Sequence, residues 1–125
     1  MRALLPLLPL TLLGCEAPPE APSAGLTLTP CHVRGVSQET MCGVLERPED
    51  PARPDGRTIP LRVVKLPAVS PTPAADPLFL LAGGPGQASS EIIALIAPSL
   101  RRIHSRRDLI FVDQRGTGAS NGLDC

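Results

Sequence analysis

Two glycine-rich segments hold the residues of this chain best suited to chemistry. They are Ala82-Gly83-Gly84-Pro85-Gly86 and Asp113-Gln114-Arg115-Gly116-Thr117-Gly118-Ala119-Ser120. Glycine allows backbone conformations that turn N–H groups into a site and leaves room for a ligand carbonyl beside them. Fixed N–H donors suit acyl transfer, in which negative charge builds on a carbonyl oxygen, because they need no reorganisation as that charge develops. A Gly-Gly-Pro-Gly turn after a buried strand can supply such donors, and Pro85 removes a competing one while stiffening the turn. The second segment reads as the floor of the same site. Asp113 is placed to accept from N–H groups of its own turn, and Arg115 brings five donors for a neighbouring carboxylate or carbonyl.

Both segments follow short apolar runs, Leu78–Leu81 and Leu109–Val112, framed by chain breakers. Continuous apolar runs of that length suit strands buried on both faces, as in a parallel sheet under helices. Between them, from Ser89 or Ser90 to Ile103, the residues Ile92, Ile93, Leu95, Ile96, Leu100 and Ile103 recur at helical spacing. That pattern predicts a crossover helix with serine at its cap and Arg101-Arg102 at its end, kinked or interrupted at Pro98. Upstream, Met41–Glu46 and Thr58–Leu66 read as an antiparallel pair joined across Pro54-Asp55-Gly56. Pro60 and Pro67 place this hairpin towards a sheet edge. Strand, glycine loop, helix, strand, glycine loop is an α/β arrangement that collects functional loops at the carboxyl ends of its strands.

Two tempting assignments fail on context. Gly118-Ala119-Ser120-Asn121-Gly122 matches the nucleophile pattern GxSxG. A nucleophile elbow needs a strand running straight into it and a helix straight after, whereas here the strand ends near Val112. His104, among arginines at the end of the helical stretch, reads as a solvated surface residue rather than a base.

The chain has 125 residues, zero net charge and two aromatic residues, both phenylalanine. No nucleic-acid partner is therefore expected. Met1-Arg2 precedes an apolar run from Ala3 to Leu13 that is too short to span a bilayer and has the proportions of a secretory signal. It ends Leu12-Leu13-Gly14-Cys15, which resembles a bacterial lipobox and implies lipid attachment at Cys15. An ordinary signal peptide that contains a cysteine is the alternative. Residues 15–30, rich in proline and alanine, read as a semi-rigid spacer. Export fits a disulfide between Cys31 and Cys42, whose small closed loop contributes roughly 2–3 kcal/mol on the chain-entropy estimate. Cys125 is left without a partner in this stretch. With two histidines and no CxxC spacing, no metal or other cofactor is expected.

Taken together, the two glycine segments resemble the HGGPG and DQRGxGxS motifs of the proline iminopeptidase and tripeptidyl aminopeptidase branch of the α/β-hydrolases. The resemblance covers residues 40–125. It implies that residues 31–125 form the first, incomplete part of an α/β-hydrolase domain: an antiparallel hairpin, then a parallel β-α-β unit. It further implies that the N–H of Gly83 or Gly84 forms half of an oxyanion hole, with Pro85, Gly86, Asp113, Arg115, Gly116 and Gly118 shaping the site. Nucleophile, acid and base would then lie beyond Cys125, and Ser120 would only close the second loop. One departure is Ala82, where the motif has histidine, which bears on loop packing and substrate preference. The implied function is an exported serine hydrolase of the bacterial cell envelope, anchored to a membrane by lipid and acting on peptide N-termini through an acyl-enzyme. Esterase or lactonase work on small esters, and a non-catalytic envelope lipoprotein, are the other readings.

Overall fold

The computed structural model describes residues 25–123. The signal segment with its lipid-attachment candidate Cys15, and Cys125, lie outside them. Five strands form one mixed sheet: β1 (Thr29–Cys31), β2 (Thr40–Pro48), β3 (Thr58–Leu66), β4 (Leu78–Leu80) and β5 (Leu109–Val112). Their order across the sheet is β1-β2-β3-β5-β4. β1, β2 and β3 pair antiparallel in sequence, β5 adds antiparallel to β3, and β4 pairs parallel with β5.

Alternation along the strands decides which side is covered. Val64 sits opposite Phe111 and Leu66 opposite Leu109, while Leu80 and Leu78 flank the same two β5 residues from the other side. Val64, Leu66, Leu109 and Phe111 close over Ile93 to make the core, with Ile96, Ala97 and Leu100 packed against it. Burying Phe111 alone is worth roughly 1.5–3 kcal/mol. A disulfide joins Cys31 to Cys42 with their Cα atoms 5.7 Å apart, tying β1 to β2.

Three expectations need correction. The hairpin of β2 and β3 is not at an edge, because β1 covers β2 and β5 covers part of β3. Proline is tolerated because β5 pairs only with Val63–Leu66. Pro60 shares the alternation of Arg62, whose N–H and C=O face the β5 side, so its missing donor falls where no strand continues. Second, β4 is not buried on both faces. Among the described residues it is the last strand of the sheet, with Phe79 62% and Leu81 63% exposed on the side away from the core. Third, the helical stretch is not one helix. Ser89–Glu91 is 3₁₀, α1 is Ile93–Ile96, Ala97–Leu100 is 3₁₀ again, and α2 is Arg101–His104. Pro98 stands near the start of the second 3₁₀ turn, consistent with the N–H it lacks and the crowding of its ring. No described helix is long and apolar enough to cross a membrane.

Candidate active site

Because β4 and β5 run parallel, their carboxyl ends lie side by side, and each leads into one of the glycine segments. The first segment is held at both of its ends. The Ala82 N–H donates to the Ser89 hydroxyl at 2.8 Å, closing the loop across its base. Beside it, Ser90 donates twice to the buried Asp113 carboxylate, its N–H to Oδ1 at 2.7 Å and its hydroxyl to Oδ2 at 2.8 Å. Contrary to the expectation from sequence, Asp113 does not serve its own turn. It reaches across to the start of the helical stretch, and its own N–H continues the ladder to the Arg62 carbonyl at 3.0 Å.

Between these clamps Gly83, Gly84, Pro85 and Gly86 are exposed. A side chain added at Gly83 or Gly86 would meet only open space. Neither Gly83 nor Gly84 donates its N–H to another described residue. Gly86 has φ +85°, the left-handed region that favours glycine. A rigidly based turn with free N–H groups at a strand end is a competent anion or carbonyl receptor.

The second segment is filled with its own bonds. Gly116 N–H donates to the Ser120 carbonyl at 2.9 Å, Thr117 N–H to Gln114 at 3.1 Å, and Ser120 N–H to Thr117 at 2.9 Å. Gly118 has φ +47°, and a Cβ there would lie 2.6 Å from Ala88 Cβ and 3.1 Å from Asp113 Oδ2. Only glycine lets the two loops meet at this point. Gly116, at φ +76°, is left-handed as well and lies against Leu123. Arg115 sends Nη1 to the Glu49 carbonyl at 2.8 Å, pinning the loop to the turn between β2 and β3.

Ser120 is fully buried, and its hydroxyl accepts the Arg62 N–H at 2.8 Å. It extends the β3 ladder with a side chain and is in no position to attack a substrate. His104 differs from expectation: it is buried, with Nε2 2.8 Å from the Pro67 carbonyl. Gln38 donates to that same carbonyl at 2.7 Å, so both side chains brace the exit of β3. Burial opposes ionisation of nearby Asp108. The Lys65 ammonium at 2.6 Å, the Ala68 N–H and the field of His104 nevertheless hold its carboxyl below the ordinary 3.8. That cluster lies at the amino end of β5, away from the glycine loops.

Sequence reasoning missed Ser89 and Ser90 as loop clamps. Both were legible only as helix-cap candidates, and no side-chain cap bond forms there. Recognising them requires knowing that β5 lies beside β4, which puts Asp113 within reach. Among the described residues no cluster of three or more His, Cys, Asp or Glu is arranged to hold a metal ion.

Comparison with known proteins gives the same relative from related organisms. The chain is 32% identical over 97 residues to the serine protease Hip1 of Mycobacterium bovis and to that of Mycobacterium tuberculosis. The matched region is 74% of this chain and 18% of each relative, so the chain spans less than a fifth of their length. No family model matches.

Proposed function

We propose that this chain is the amino-terminal part of a serine hydrolase that cleaves peptides, most like an aminopeptidase of the α/β-hydrolase fold, and that it supplies half of the oxyanion hole. The observation that carries this reading is the first glycine loop: exposed, clamped at both ends, with the Gly83 and Gly84 N–H groups unpaired. The distant likeness to a serine protease supports the same class of chemistry. A substrate carbonyl docks against this turn, a serine attacks its carbon, and the oxygen that becomes an oxyanion takes hydrogen bonds from the loop. The second donor comes from the residue after the nucleophile. Collapse of the intermediate expels the amine and leaves an acyl-enzyme, which water hydrolyses.

Nucleophile, acid and base belong to the part of the longer protein that follows. Within residues 25–123 Ser120 is buried in a structural bond, and His104 is bonded to a carbonyl at the other end of β5. On this reading no described residue serves as nucleophile or base. Cys15 carries the lipid that anchors the enzyme to the bacterial envelope, and residues 15–30 space it from the membrane.

The experiment uses the longer protein. A fluorophosphonate probe should label one serine outside residues 1–125, and aminoacyl or tripeptidyl anilides should be hydrolysed. Gly83→Pro, which deletes one donor, should lower kcat about 100-fold or more with little change in KM. Labelling of Ser120 would sink the proposal, and so would full activity in both Gly83→Pro and Gly84→Pro.

A further inference from the structure

The candidate active site does not absorb a cavity of about 380 Å³ on the helix-covered side of the sheet, lined by His32, Val33, Arg34, Arg62, Ser90 and Glu91. Its floor comes from β3: Arg62 shares its face with Val64 and Leu66 by strand alternation. One wall is the loop after β1, fixed by the Cys31–Cys42 disulfide, and Arg62 Nη2 lies 3.8 Å from Cys42 Sγ. The facing wall is the start of the helical stretch, where Ser90 is immobilised by Asp113.

What sets this cavity apart is that two arginines without ion pairs line it together. Lys65 and Arg107 are paired with Asp108 and Asp76, and Arg53 and Arg57 are paired with Asp50 and Glu49. None of those ion pairs involves Arg34, Arg62 or Glu91. Two guanidinium groups and one carboxylate therefore face a shared space without being bonded to one another. With histidine counted neutral, the lining carries a net charge of +1, from two arginines less one glutamate. Guanidinium groups present planar, paired donors that match a carboxylate. A single negative charge balances the lining, whereas a dianionic phosphate would leave an excess beside Glu91.

We propose that this cavity binds the carboxylate of a small ligand, with Arg62 and Arg34 as the principal donors. It shares only Ser90 with the glycine-loop region and does not depend on the catalytic proposal. The volume suits one amino-acid-sized group.

The test is an amide NMR titration of the longer protein with N-acetylglycine, with neutral N-acetylglycinamide and inorganic phosphate in parallel. N-acetylglycine should shift the signals of Arg34, Arg62 and Ser90 saturably, and the neutral amide should not. Arg62→Gln should weaken binding about tenfold or more, since it removes a charge-assisted donor pair. Arg34→Gln, on an exposed loop outside the core, should weaken it in the same direction and decides the matter if Arg62→Gln does not fold. Arg53→Gln, at the distant hairpin turn, should bind as the parent does. Equal shifts with the neutral amide would overturn the proposal, as would unchanged binding in folded Arg34→Gln. Tighter binding of phosphate than of N-acetylglycine would overturn the carboxylate assignment.

Discussion

The two glycine loops are alike in composition and opposite in physical state. The loop after β4 is exposed between two clamps and leaves the Gly83 and Gly84 N–H groups unspent, while the loop after β5 pairs the Gly116, Thr117 and Ser120 N–H groups within itself, bonds outward to Ser90, Arg62 and Glu49, and buries Asp113, Thr117 and Ser120. Under the proposed function one is the receptor and the other is the frame that holds it. Glycine serves different ends in each. In the frame it permits contact, as at Gly118 beneath Ala88; in the receptor it keeps space open, as at Gly83. Substitutions should therefore divide cleanly: damage to the frame is read in stability, and damage to the receptor in catalysis.

The largest effect is expected at Asp113. Asp113→Ala leaves two half-buried Ser90 donors unpartnered and opens a void, so urea unfolding should show a loss of about 4 kcal/mol. A loss below 1 kcal/mol would mean that the frame does not hold the receptor. Gly118→Ala comes next, with about 2–3 kcal/mol lost to a left-handed alanine and its collision with Ala88. Ser120→Ala should cost about 1–2 kcal/mol through the orphaned Arg62 N–H, yet serine-probe labelling of the longer protein should persist. Loss of labelling there would return Ser120 to candidacy as nucleophile and collapse the distinction between the loops.

A control lies at the far end of β5. Asp108 has its carboxyl held below 3.8 in the folded state. A depressed folded value means that its stabilisation is present above the unfolded pKa of about 3.9 and is lost as pH falls through the folded value. Acid unfolding should therefore steepen below about pH 4 in the parent, and Asp108→Asn should flatten that limb. The smallest stability change belongs to Gly83→Ala, within about 0.5 kcal/mol, because the added methyl meets nothing. A large loss there would show that the receptor is part of the frame after all.

Much of the local structure was legible from residues alone. Alternation and flanking breakers located β3 and β5 with their observed bounds, Pro54-Asp55-Gly56 marked the hairpin turn, and the glycine segments were placed at strand ends. These depend on short-range preferences: proline's fixed φ, glycine's freedom, and the two-residue period of a strand. Cys31 and Cys42 were within reach of such reasoning because they close a short loop.

What only the tertiary structure decided is who meets whom. Placing β5 between β3 and β4 brings Asp113 to Ser90, Ser120 to Arg62 and Arg115 to Glu49, contacts between residues 23, 58 and 66 positions apart. The same arrangement buries His104 against Pro67 and leaves Phe79 on an open face. No local preference encodes these outcomes, because a serine, an aspartate or a histidine has the same backbone propensity whether or not a distant partner awaits it. The residue types set what each side chain can donate or accept; the order of strands determined which of those capacities were consumed and which, at Gly83 and Gly84, were left free.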